Sequence, residues 1–165
     1  AALERVQRSH QLLLLAAEKD MPVYGLNRGV GLNKDKIIFK GSVLTPEARK
    51  ESEQFNMNDL YATSAAVGPN APRDIVRAAM TVRLNTLLIG NAGVQPAVAI
   101  MLADFLNKDI TPMLPSGGSI GEADITLLAH IGLAITGKGD VLYKGEKMPA
   151  VAALKLAGLQ PLHLY

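Results

Sequence analysis

One tyrosine set among glycines, and one glycine- and serine-rich loop running into an apolar helix, are the stretches whose residue types could do chemistry. The first is VYGLNRGVGLNKD, Val23–Asp35, in which glycines at 25, 29 and 31 let the main chain turn sharply and approach a ligand closely. Tyr24 is the one tyrosine there, set between backbone-permissive residues. A phenol ordinarily titrates near pH 10, so it serves as a base near neutrality only with help from neighbouring positive charge. Arg28 is a local candidate for that help. The second stretch is PSGGSIGEADITLLAHIGLAITGKGD, Pro115–Asp140. Its loop leads at Asp124 into an apolar helix, whose start would offer unpaired N–H donors and a partial positive charge to a small molecule. Glu122 and Asp124 fall where negative charge is favoured, which also describes an ordinary helix start. A packed loop tyrosine is equally the plain reading of Tyr24.

The elements that must hold these stretches read as helices. Residues 2–19 carry a broad apolar stripe (Leu3, Val6, Leu12, Leu13, Leu15) and end at Pro22. Thr45-Pro46-Glu47 is a capped start for a helix to Ala66, stopped by Gly68-Pro69. Pro72 opens the next, through Ile89, with Ile75, Ala78, Ala79, Val82, Leu84 and Leu88 expected inside. Pro96–Asn107, the helix after Asp124, and Val151–Leu156 complete the set. DVLYKGEKMP predicts a short β-hairpin around Lys144-Gly145. The fold class is therefore mainly α, with 1–165 expected as a single domain.

Composition narrows the partners. The chain has 17 basic and 15 acidic residues, a net charge of +2, and no dense Lys/Arg cluster, which argues against nucleic acid. Lys34, Lys36 and Lys40 read as a solvated loop. There is no cysteine, so no disulfide framework and no thiolate metal site, in keeping with a cytoplasmic protein. His10, His130 and His163 lack metal-ligand spacing, and no metal is expected; His130 reads as a hydrogen-bonded core residue. Leu12–Ala17 is too short to span a bilayer, so no membrane association is expected. Apolar residues exceed the usual share although aromatics are only 4%. Such a chain is expected to cover apolar faces by oligomerising or against more of its own polypeptide.

Several segments together resemble the N-terminal part of the histidine, phenylalanine and tyrosine ammonia-lyases and aminomutases. Tyr24-Gly25-Leu26-Asn27-Arg28-Gly29-Val30-Gly31 is similar to that family's Tyr-Gly-x-Asn-Thr-Gly-Phe-Gly loop, departing at Arg28 and Val30. Arg83-Leu84-Asn85-Thr86-Leu87, Gly118-Ser119-Ile120-Gly121, Asp124-Ile125, Leu128-Ala129-His130, Tyr143-Lys144-Gly145 and Ala157-Gly158-Leu159-Gln160-Pro161-Leu162 continue the match in order. The resemblance implies the N-terminal domain of the ammonia-lyase helical fold, without the family's long C-terminal bundle, so the chain is expected to be a fragment. It implies an amino-acid-like substrate, a homotetramer with active sites shared between subunits, and Tyr24 as the base that takes the substrate's β-proton. It also places Gly31 at the substrate. Thr63 falls about where histidine-specific members carry a substrate-contacting His, which argues against histidine.

Members of the family make an electrophile, methylidene-imidazolone, from an Ala-Ser-Gly triad: the Gly nitrogen attacks the Ala carbonyl, and loss of water turns Ser into the methylidene. Between Gly121 and Asp124 this sequence has only Glu122 and Ala123. The serine whose hydroxyl must leave and the small glycine are both missing, so Glu122-Ala123-Asp124 cannot close the ring and no such cofactor is expected. Pro115-Ser116-Gly117 contains Ser-Gly, but upstream of the matching position and behind a ring-locked proline. Without the electrophile, ammonia is a hard group to expel and a trimethylammonium group is not. The resemblance extends to ergothionase-like members, which eliminate trimethylamine from a betaine without the ring. The expectation is a lyase whose full-length form breaks a C–N bond by that route, the isolated chain being inactive. The alternative is a non-catalytic homologue that binds an amino-acid-like ligand or serves assembly.

Overall fold

A computed structural model describes residues 1–121 and 125–165. Along the chain run helices α1 (Ala2–Glu18), α2 (Pro46–Thr63), α3 (Arg73–Ile89), α4 (Pro96–Asn107), α5 (Ile125–Ile135) and α6 (Ala150–Leu156). Between them lie strands β1 (Val67–Asn70), β2 (Ile110–Pro112), β3 (Pro115–Gly117), β4 (Asp140–Tyr143) and β5 (Glu146–Pro149), and a 3-10 turn at Gly31–Asn33. The fold is thus mainly α with a small β component, as the sequence predicts. The chain divides into two compact units.

The first unit comprises Ala1–Asn58, Leu87–Pro96 and Leu164–Tyr165. Its core gathers Ala17, Leu26, Phe39, Val43 and Ala48, with Leu13, Leu14, Val23, Ile38 and Tyr165 packed against them. Phe39 and Val43 follow the tyrosine loop and anchor its exit. Tyr165 takes the Arg49 guanidinium over its ring at 3.9 Å, and its N–H donates to Gln95 Oε1 at 3.0 Å. The α1 helix is held along its length by polar contacts as well as by packing. Arg5 donates to the carbonyls of Leu88 and Ile89, which end α3, with the shortest contact 2.8 Å. One turn further on, Ser9 Oγ accepts the N–H of Gly93 at 3.0 Å, and His10 Nδ1 donates to the Gly93 carbonyl at 3.0 Å.

Packing corrects the expected stripe on α1. Val6, His10 and Ala17 are the buried residues, while Leu3, Leu12 and Leu15 are exposed. Four consecutive leucines supply apolar surface on every side, so sequence alone does not say which side is covered. Leu12, Leu13 and Leu15 instead line an open hollow of about 510 Å³, with Ala16, Met21 and Gly93.

The second unit comprises Asp59–Thr86 and Ala97–His163. The predicted hairpin is β4 and β5, paired Tyr143↔Glu146 through Asp140↔Pro149. Lys144 and Gly145 both take positive φ (51° and 87°), as a two-residue turn matched to strand twist requires. β2 adds antiparallel to β4 to make three strands, and β1 pairs with β3 in a separate ribbon. The helix expected to reach Ala66 therefore stops at Thr63, because Val67–Asn70 is drawn into pairing with β3. α6 packs on β4 and β5, and α5 touches β2, β3 and α6. On α3, Val76, Met80 and Leu87 are buried, whereas Ile75 and Val82 of the expected face are exposed and Ala78 with them. Alanines between the larger residues blur the 3.6-residue period there. Arg73 and Arg77 both pair with Asp109, and Arg77 also donates to the Leu106 carbonyl at 2.9 Å, closing the end of α4.

Candidate functional site

The tyrosine loop has no regular secondary structure to carry its polar groups, and it satisfies them internally. Gly25 N–H donates to the Arg28 carbonyl (3.0 Å), Arg28 N–H to the Val23 carbonyl (3.2 Å), and Gly29 N–H to the Lys36 carbonyl (2.9 Å). Tyr24↔Arg28 and Arg28↔Ile37 are single bridges rather than strands. The Gly31–Asn33 turn closes with Asn33 N–H on the Val30 carbonyl (3.0 Å) and Lys34 N–H on the Gly31 carbonyl (3.1 Å). A short helical turn leaves its first N–H groups unpaired. That of Gly31 points outward and donates to the phenolic oxygen of Tyr24 at 2.9 Å.

This contact brings together two of the residues singled out in the sequence. Tyr24 is otherwise 66% exposed, so its ring is placed by backbone and hydrogen bond rather than by burial. A phenolic oxygen has two lone pairs and one hydrogen. The Gly31 N–H takes one lone pair and leaves the other to face a ligand. Gly31 has φ of +56°, and a side chain built on it would meet nothing within 4 Å, so its face is open. Arg28, the cation offered by the sequence, sends its guanidinium to the Asn27 carbonyl at 2.9 Å.

Asn27 was visible in the motif without a role. It is wholly buried, its Oδ1 accepting the Val23 N–H (2.8 Å) and its Nδ2 donating to the Met21 carbonyl (2.9 Å). The available signal was its position: a polar side chain among glycines, where the backbone has no ladder partners of its own.

Thr63 belongs to the second unit. It is half-buried at the last turn of α2, and its hydroxyl donates to the Asp59 carbonyl at 2.7 Å. In the glycine-rich loop, Ser119 Oγ accepts the Gly121 N–H at 3.1 Å. Pro115–Gly117 is strand β3, and Ser116 donates to the Pro69 carbonyl at 2.9 Å. Glu122, Ala123 and Asp124 lie outside the described residues. On α5, the Nε2 of His130 is buried with no partner among the described residues, and burial lowers its pKa. Among the described residues no group of His, Cys, Asp and Glu could hold a metal ion, and no helix is long and apolar enough to cross a membrane.

The family model of the aromatic amino acid lyases matches residues 1–165. Histidine ammonia-lyase of Geobacillus thermodenitrificans is 38% identical over 164 residues, covering 99% of this chain and 31% of that protein. Among solved structures, ergothionase of Treponema denticola, described as an ergothioneine-degrading enzyme, superposes with a TM-score of 0.89 and 42% identity, over 99% of this chain and 31% of that one. Phenylalanine aminomutase of Pantoea agglomerans superposes with a TM-score of 0.87 at 29% identity, over 99% and 30%. The chain thus spans about a third of the length of the relatives it matches.

Proposed function

The chain belongs to the aromatic amino acid lyase family, and from that premise we propose that its full-length protein eliminates an amine from an aromatic amino acid or its betaine without methylidene-imidazolone. The observation that carries the reading is the sequence Glu122-Ala123-Asp124 after Gly121, which has no serine to become the methylidene and no glycine following it to close the ring. The Ser-Gly pair at 116–117 is no substitute. Ring closure needs a bent backbone that brings the Gly117 nitrogen onto the Pro115 carbonyl, and β3 is extended. Likeness to an ergothioneine-degrading enzyme supports the same direction.

The proposed chemistry balances without a cofactor. Tyr24 first gives its own proton to solvent, and the phenolate oxygen, which the Gly31 N–H stabilises, takes the β-proton. The released electron pair forms the Cα=Cβ double bond, and the Cα–N bond breaks with its pair on nitrogen. When nitrogen carries three methyl groups it leaves as a neutral amine, so the barrier that the electrophile lowers for ammonia is smaller from the start. Gly31 serves twice in this scheme, fixing the Tyr24 oxygen and leaving an open face for the substrate. Leu32 and Ile120, exposed beside the two glycine-rich stretches, are covered in the complete protein by the remaining polypeptide and by further subunits of a homo-oligomer.

The test is to incubate the full-length protein with aromatic amino acids and with their trimethylated betaines, following the absorbance of the conjugated acrylate. Turnover of betaines alone is the expected result. Equal turnover of the free amino acids would overturn the ring-independent route. No turnover of either would leave a ligand-binding homologue.

A further inference from the structure

Tyr24 presents an exposed ring, yet its reacting oxygen must be held in place, and packing does not hold it. Two things do: the Gly31 N–H on the phenolic oxygen, and the course of the backbone entering the loop. That entering segment, Met21–Val23, lies in no strand ladder. The Met21 N–H reaches the Ala16 carbonyl, and the Val23 carbonyl accepts the Leu26 and Arg28 N–H groups. The Met21 carbonyl and the Val23 N–H are taken up by a single side chain, that of Asn27. The carboxamide orientation is unambiguous, because the Val23 N–H requires the oxygen and the Met21 carbonyl requires the nitrogen. The backbone of the same residue reaches the other limb. The Asn27 carbonyl accepts the Ile38 N–H at 3.1 Å and the Arg28 guanidinium at 2.9 Å.

We propose that Asn27 is the positioning residue for Tyr24: it ties the entering limb to the exiting limb and so sets where the phenolic oxygen stands against the Gly31 N–H. The inference rests on reading Tyr24 as the base. Removing the carboxamide would leave the Val23 N–H and the Met21 carbonyl without their partner in a half-buried spot, and the limb would move to find new ones. Displacement of a reacting group by about 1 Å can cost on the order of a hundredfold in rate.

The experiment compares Asn27→Ala, Asn27→Asp, Tyr24→Phe and the double variant Asn27→Ala/Tyr24→Phe in the full-length protein. Asn27→Ala should lower kcat by about a hundredfold with KM nearly unchanged. Asn27→Asp keeps the acceptor for Val23 and should recover part of that loss; it also serves if Asn27→Ala does not fold. The double variant should be no slower than Tyr24→Phe alone, since a residue acting through Tyr24 has nothing further to lose. Wild-type kcat in either folded Asn27 variant, or losses that multiply in the double variant, would overturn the proposal. If Tyr24→Phe keeps full activity, the base reading has failed, and a crystal structure of the Asn27 variant decides the positioning by itself. A Tyr24 oxygen still bonded to the Gly31 N–H overturns it, and a broken bond supports it.

Discussion

The carbonyl oxygen of Asn33 stands where a side chain on Gly29 would begin: a Cβ built there lies 2.3 Å from it. That oxygen is also the acceptor for the Lys36 N–H at 2.9 Å, so it cannot retreat without disturbing the turn that carries Gly31. Gly29→Ala should therefore cost about 1–3 kcal/mol, read from the urea midpoint, and should lower kcat by displacing the Gly31 N–H from Tyr24.

Gly31→Ala is the contrasting case. Its N–H is retained and its Cβ would enter open space, leaving only the left-handed backbone, at about 1–2 kcal/mol. Its effect in steady-state kinetics should fall on KM, because the new methyl occupies the face left for substrate.

Tyr24→Phe removes a single oxygen from an exposed ring. Elimination should fall by about 10²–10⁴-fold, while circular dichroism and the unfolding midpoint stay close to wild type. Retained activity would remove Tyr24 from the chemistry.

Intact mass spectrometry should return the mass expected from the sequence, with no ultraviolet band from a conjugated imidazolone. A mass short by two molecules of water between Pro115 and Asp140 would show that a ring forms despite Glu122-Ala123-Asp124.

Burial lowers the pKa of His130. The unfolded chain then binds a proton near pH 6.5 that the folded chain takes up only at lower pH. The His130 contribution to stability is complete above about pH 6.5 and is lost as pH falls through the lowered folded value. Urea midpoints measured from pH 7.5 downward should decline more steeply for wild type than for His130→Asn.

Helices with capped or proline-led starts were legible in the sequence because their signals are local. Pro96–Asn107 is found at its expected bounds, and Thr45 Oγ1 accepts the Ala48 N–H at 3.4 Å, the cap foreseen for α2. The β4–β5 hairpin was legible for the same reason. β1, β2 and β3 were not. They are three or four residues long, carry Pro or Gly, and exist only because distant segments pair, as Val67 does with Gly117. In the candidate site, the glycine motif announced Tyr24 and Gly31, but their hydrogen bond depends on how the loop folds over seven residues. Asn27 escaped notice because satisfying two backbone groups at once is a property of the folded loop.

The contacts of Arg5, Ser9 and His10 fix the phase of α1. Ser9 accepts and His10 donates, so the two polar groups of Gly93 are read by neighbouring side chains of opposite character. The Gly93 carbonyl can only accept, so it fixes the His10 tautomer with the proton on Nδ1, and the Gly93 N–H is left to the Ser9 hydroxyl. Deleting one residue between Arg5 and Ser9 would turn the helix by about 100°. The Arg5 contacts and the Gly93 contacts could then not be made together. The helix is in this sense keyed like a lock tumbler, tolerant of what its outward leucines become and intolerant of any change in its count.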